Sequence, residues 1–165
     1  MPELSKIVPC LWFDDRAEDA ARLYVSLFPG SAIDTIVRFG TEGFEHHGRP
    51  AGSVMTVAFH LGVQRFTALN GGPRFTFSEA VSFQVMCEDQ SEIDHLWDAL
   101  TRDGGQGSRC GWLRDRFGLS WQIVPRSLPA MMSDPDPARV ARVTSAFLPM
   151  EKLDLAAIEK AYRGA

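Results

Sequence analysis

At 165 residues, 45% hydrophobic and 23% charged, the chain is long enough for one ordinary domain or two small fused modules with a sizeable core. A formal charge of −4, with no basic run or arginine stripe, argues against a nucleic-acid or anionic-membrane partner, because both depend on excess Lys and Arg. No leader-like segment opens the chain, no apolar stretch approaches the ~20 residues of a membrane span, and Cys10, Cys87 and Cys110 have no CxxC spacing. The expectation is a cytoplasmic protein whose thiols are mostly core filler.

In chain order, Lys6 to Phe13 is apolar and bounded by Asp14-Asp15, which predicts a buried strand. Asp15 is placed to cap a helix from Arg16 to Phe28, with Ala17, Ala20, Ala21, Tyr24, Leu27 and Phe28 on one face. Pro29-Gly30 stops it, and Ala32 to Phe39 reads as a second strand. Thr41 to Gly52, rich in Gly, His and charge, reads as a loop. Ser53 to Leu61 and Gln64 to Leu69 form a hairpin turning at Gly62, and Asn70-Gly71-Gly72-Pro73 closes this half.

The second half repeats the first. Ala80 to Cys87 reads as a strand, and Glu88-Asp89 stands where Asp14-Asp15 stood. A helix from Ser91 to Leu100 then carries Ile93, Leu96, Trp97 and Leu100 at the spacing of one buried face. At an offset of 74, Asp15 matches Asp89, Glu18 matches Glu92 and Gly30 matches Gly104; the closing hairpins align Gly62 with Gly118 instead. Two copies of strand, helix, then strands make an α+β protein from a duplicated unit.

The closing stretch of the repeat runs from Cys110 to Pro125 and reads as strands Leu113 to Phe117 and Leu119 to Val124 about a turn at Gly118. In the second strand Ser120 and Gln122 alternate with Trp121 and Ile123. Large apolar side chains on one side imply packing on a helix, and uncharged polar ones on the other imply a lined cavity. Beyond Pro125, prolines 129, 135 and 137 punctuate the chain before helical segments at about Ala138 to Leu148 and Leu155 to Ala161. These predict a C-terminal appendage packed on the module body or on a partner chain.

The motifs Leu11-Trp12-Phe13-Asp14, Tyr24-Val25-Ser26-Leu27-Phe28-Pro29, Leu69-Asn70-Gly71-Gly72-Pro73, Ser82-Phe83, Glu88-Asp89-Gln90, Cys110-Gly111-Trp112 through Trp121-Gln122-Ile123-Val124-Pro125 and Met150-Glu151-Lys152-Leu153-Asp154 cover nearly the whole chain. Together they resemble the PhnB-like group, also labelled 3-demethylubiquinone-9 3-methyltransferase-like, of the vicinal oxygen chelate (glyoxalase/bleomycin-resistance/dioxygenase) superfamily. The resemblance implies two βαβββ modules forming a cupped mixed sheet over residues 1–126, with module one at 5–73, module two at 78–126 and an appendage at 127–165. It also implies a homodimer, because the family often builds its cup across two chains.

Enzymes of the wider superfamily hold a divalent metal on the first and last strand of each module. Carried onto this chain, those positions fall near Pro9 and at Ser82, Phe66 and Gln122, of which only Gln122 is a plausible ligand. No metal site is expected. His46-His47 point apart in an extended loop, His60 lies on a strand and His95 sits beside an apolar helix stripe. No GxSxG elbow, P-loop or paired-carboxylate site appears, and neither Cys10 nor Cys110 has an adjacent base to activate it. A methyl donor is usually held by a glycine-rich turn from strand to helix, whereas Gly104-Gly105-Gln106-Gly107 follows a helix.

What remains is a cavity lined by Phe66, Ser82, Gln84, Ser120 and Gln122, suited to a small organic ligand without a cofactor. Ser82, Gln84 and Gln122 can equally satisfy one another. The leading expectation is a metal-free small-molecule binder. The alternatives are a lyase, isomerase or dioxygenase whose metal is held unconventionally through Gln122 and a histidine, and a scaffold with no ligand.

Overall fold

The computed structural model describes residues 6–164. The run 1–5, which includes the expected start of module one, lies outside the described residues. The chain divides into two units, the first ending at Thr76 and the second beginning at Phe77.

The first unit contains β1 (Cys10–Phe13), α1 (Ala17–Leu27), β2 (Ala32–Arg38), the single turn α2 (Phe44–His47), β3 (Val54–Leu61) and β4 (Gln64–Asn70). Its sheet runs β1-β4-β3-β2, with β1 parallel to β4 and the other pairs antiparallel. β1 is shorter than its apolar run because ladder partners begin only at Cys10 and Thr67; Ile7 and Val8 stay exposed. Small residues let α1 lie close on the sheet: Ala17, Ala20 and Ala21 are fully buried beside Tyr24, over Val57, Phe59 and Ala68.

The cap of α1 corrects the sequence expectation. Arg16 is the N-cap, its side chain accepts no cap bond, and Asp15 is not used. The acceptor comes from the end of β4, where Asn70 Oδ1 takes the Ala17 N–H at 2.8 Å and Asn70 Nδ2 donates to Val54 O at 3.1 Å. A remote amide therefore meets the need that a local carboxylate was expected to fill.

The second unit repeats the plan. It has β5 (Ser82–Cys87), α3 (Gln90–Thr101), β6 (Gln106–Gly107), a 3₁₀ turn at Arg109–Gly111, β7 (Trp112–Arg114) and β8 (Ser120–Pro125). The sheet order β5-β8-β7-β6, with β5 parallel to β8, reproduces that of the first unit. Here the cap is local: Asp89 accepts from Glu92 N–H at 2.9 Å, and Glu92 reaches back to accept from Glu88 N–H, one residue before the cap, at 2.7 Å. Ile93, Leu96, Trp97 and Leu100 bury the predicted face against Leu113, Trp121 and Ile123. The strand β6 was not apparent from composition, being two residues long.

Three helices complete this unit: α4 (Leu128–Met132), α5 (Pro137–Phe147) and α6 (Leu155–Arg163). α4 falls in the proline-punctuated stretch that showed no helical period; it starts with Pro129 in its first turn, where a missing N–H costs nothing. Val124, Leu128, Val143, Leu153 and Ile158 form the core beneath them, with Met86, Met131, Phe147 and Tyr162 packed around it. Two βαβββ modules followed by C-terminal helices make an α+β fold of the glyoxalase type. Among the described residues no helix is long and apolar enough to cross a membrane.

Candidate functional site

Strand alternation divides the side chains of the second sheet. Trp121 and Ile123 turn toward α3, so Ser120, Gln122 and Val124 share the other face of β8. The register carries this face across the sheet. Ser82 and Gln84 of β5 lie opposite Ser120 and Gln122, and Arg114 and Trp112 of β7 lie on their other side. Gln106 of β6 is paired with Arg114. Of these eight residues six carry uncharged polar or aromatic groups; Val124 is aliphatic and Arg114 is the cation.

The polar groups are partly satisfied among themselves. Gln122 donates to Ser82 Oγ at 2.8 Å and accepts from Gln84 Nε2 at 3.2 Å, so one amide links both residues of the neighbouring strand. Arg114 Nη2 donates to Gln106 Oε1 at 2.8 Å. Ser120 differs: it is 1% exposed, and its Oγ has no hydrogen-bond partner among the described residues. A buried hydroxyl without a partner costs on the order of 1–3 kcal/mol, which a fold retains where something else supplies the bond.

Ser120 lines a cleft of about 480 Å³ whose walls include Gln106, Arg109, Cys110, Trp112 and Arg114, with Glu79 at its margin. That volume lies within the range of small-molecule sites, roughly 300–1,000 Å³. The rim is held by unusual backbone. Cys110 has φ of +58°, a left-handed conformation that costs a non-glycine residue about 1–2 kcal/mol. Its N–H donates to Met150 O at 2.7 Å, and the next N–H, of Gly111, donates to Glu151 O at 2.8 Å. Gly111 has φ of +79°, and a Cβ there would meet Ile123 O at 2.5 Å, so glycine is required.

The C-terminal helices thus shape the same face. Along β8 it changes from Ser120 and Gln122 to Val124, and along β5 from Ser82 and Gln84 to Met86; the appendage core packs where it turns apolar. The loop between α5 and α6 holds the 3₁₀ turn at the cleft's edge. Sequence reasoning anticipated the polar face from the alternation but missed Arg114, Trp112 and Arg109. Arg114 was detectable, since it stands across the hairpin from Ser120.

Of the five residues expected to line a cavity, Ser82, Gln84, Ser120 and Gln122 are brought onto one face, and Ser120 lines the cleft. Phe66 is in the first unit and faces the other way. It stacks on Phe59 with ring centroids 5.2 Å apart, Phe59 in turn meets Tyr24 of α1, and Phe66 shares its face with Asn70, which caps that helix. Strand pairing supplies the reason. Cys10 pairs with Thr67 as Gln84 pairs with Gln122, so the counterpart of Gln122 is Thr67 and that of Phe66 is Trp121. Gly62 and Gly118 sit at different places in turns of different length, and aligning them shifts the face by one residue.

The donor set does not fit a divalent metal. Around Gln122 the face offers a hydroxyl and two amides, already bonded to one another, with no imidazole or carboxylate among them. Among the described residues no group of three His, Cys, Asp or Glu side chains is placed to hold an ion. His60 is engaged with Asp34 at 2.9 Å, and His46 and His47 lie on the short α2. Two of the thiols are held protonated: burial, aided by Glu92, Asp89 and Glu88, pushes Cys87 up to about 12, and burial also raises Cys10. Gly104-Gly105 follows the end of α3 at Thr101, and no glycine-rich turn joins a strand to a helix there.

Comparison with known proteins agrees with this architecture. Residues 5–124 match the profile of the 3-demethylubiquinone-9 3-methyltransferase family. A putative 3-demethylubiquinone-9 3-methyltransferase, a PhnB protein from Bacillus cereus, is 33% identical and superposes with a TM-score of 0.65, over 73% of this chain and 99% of its own. Protein PA1353 from Pseudomonas aeruginosa is 21% identical, with a TM-score of 0.56 over 72% of this chain and 96% of its own, a likeness of fold. No curated protein matches the chain. The family match ends at residue 124, so α4 to α6 lie beyond it. The chain belongs to the 3-demethylubiquinone-9 3-methyltransferase, or PhnB-like, family.

Proposed function

We propose that the chain binds a small organic molecule on the polar face of its second module, without a metal or other cofactor. The observation that carries this reading is the Ser120 hydroxyl, buried and unpartnered beside a cleft of about 480 Å³. Ser82, Gln84 and Gln122 extend the face as a hydrogen-bonding platform, and Trp112 supplies an aromatic wall. Nothing in this set activates a methyl donor or a metal-bound water, so the family's methyltransferase description is not adopted for the activity. As part of the same proposal the protein is a cytoplasmic homodimer, the assembly its family resemblance implies; light scattering that gives a monomer across micromolar concentrations contradicts it.

A thermal-shift ligand screen tests the function. A ligand that binds the folded chain raises its stability by mass action, by about 2.7 kcal/mol at a hundredfold excess over Kd. Hits are expected to stabilise the wild type and to lose their effect in the Ser82→Leu, Gln122→Leu double variant. If no compound separates the two proteins, the binding reading fails. Metal analysis of the purified protein addresses the enzymatic alternative: stoichiometric divalent metal, lost in Gln122→Ala, would sink the metal-free reading.

A further inference from the structure

We infer that the cleft takes a small organic carboxylate, its charge on the guanidinium of Arg114 and its body against Trp112. This assignment rests on the small-molecule function proposed above and names the class of ligand.

Charge carries the argument. The chain as a whole is anionic, at −4, yet two of the three charged residues lining the cleft are arginines. Neither Arg109 nor Arg114 forms an ion pair among the described residues. Elsewhere in the second unit, Arg116, Arg126, Arg139 and Arg163 have carboxylate partners, whereas Arg142 is spent on the carbonyls of Ala161 and Tyr162 and Arg102 has no ion pair among the described residues. Arg114 spends a single Nη2 contact on Gln106 Oε1, which orients the side chain and leaves the rest of its planar fork for a bidentate acceptor. Placement supports the pairing. Arg114 and Ser120 are direct register partners across β7 and β8, so the unpartnered hydroxyl and the unpaired cation arise from adjacent points of one face. A carboxylate on Arg114 would stand across the ladder from the Ser120 hydroxyl, the buried group that lacks an acceptor. Glu79, the third charged group in the wall, opposes accumulation of negative charge, which favours a monoanion over a dianion.

The test is a chemical-shift titration of the full-length ¹⁵N-labelled chain with benzoate and with its uncharged isostere benzamide. Benzoate is expected to move the amides of Gln106, Arg114 and Ser120, and to bind about tenfold or more tightly than benzamide. Arg114→Gln should bring benzoate down to the affinity of benzamide and leave benzamide unchanged. Arg114→Lys, which keeps the charge without the fork, should fall between. Equal binding of the two probes, indifferent to both substitutions, overturns the carboxylate assignment while leaving a small-molecule cleft in place. If neither probe perturbs this face, the carboxylate assignment fails, and the ligand screen described above decides the broader function separately.

Discussion

The two modules share a strand order and differ in how their helices are capped and their hairpins turned. Module one caps its helix with Asn70, reaching from the end of β4, and joins β3 to β4 by the two residues Gly62 and Val63. Module two caps its helix within its own first turn and joins β7 to β8 by five residues, Asp115 to Leu119. That longer turn is organised by Asp115, 1% exposed, whose carboxylate accepts from Phe117 N–H, Leu119 N–H and the Trp121 indole at 2.8, 3.1 and 2.9 Å. The appendage packs on the second unit through Leu153 and its neighbours. One fold plan thus carries a two-residue turn in one copy and, in the other, a longer turn beside a cleft of about 480 Å³, because the sheet fixes the faces and the turns and additions decide what stands on them.

The largest effect should come from the turn that separates the two hairpins. Asp115→Ala strands three donors around a buried site and is expected to cost about 3 kcal/mol or more, read as a lowered urea midpoint. Gly62→Ala, in the simpler turn with φ of +57°, should cost only about 1 kcal/mol. Equal losses would erase the distinction between the turns.

Next comes the appendage. Leu153 is fully buried, and Leu153→Ala should cost about 2–5 kcal/mol while exposing the segment between α4 and α5 to limited proteolysis. Full stability with no new cleavage would show that the helices are an accessory to module two rather than part of it. The caps should differ less. Asn70→Ala removes the Ala17 bond and an internal strand contact at a buried position, about 2 kcal/mol, against about 1 kcal/mol for Asp89→Ala, measured by thermal unfolding.

The smallest effect is electrostatic. Hydrogen bonds from Gln90 and Lys152 hold the Asp94 carboxyl below the usual carboxylate range. A depressed folded-state pKa contributes stability above the unfolded value near ~3.9, lost as pH falls through the folded one. Because Asp94 is exposed, Asp94→Asn should flatten the acid limb of the stability profile only slightly. A stability loss in that variant that persists unchanged through the acid range would mean that charge is not the source.

Much of this was legible in the chain. The helical stripe Ile93, Leu96, Trp97 and Leu100 and the alternation Ser120, Trp121, Gln122, Ile123 each reflect a period that burial imposes, and both hold. The duplicated punctuation at Gly30 and Gly104 marks real helix ends. What stayed hidden was non-local. Asn70 caps a helix 53 residues away, which no spacing rule reveals. The family resemblance sets Phe66 as the counterpart of Gln122, whereas pairing of β1 with β4 makes that counterpart Thr67 and turns Phe66 to the helix. Arg114 gains its role only from standing across from Ser120, and the bonds from Cys110 and Gly111 to Met150 and Glu151 join segments about forty residues apart.

The most direct measurement is a fragment screen by ¹⁵N chemical-shift mapping on the full chain, repeated with Ser120→Val. The account predicts that bound fragments perturb Ser120, Gln122 and Trp112 in the wild type, and that removing the Ser120 hydroxyl weakens them severalfold, the worth of about one hydrogen bond. Fragments that map instead to the surface between α5 and α6, or that bind Ser120→Val as well as the wild type, would contradict the claim that the polar face of module two is the binding site.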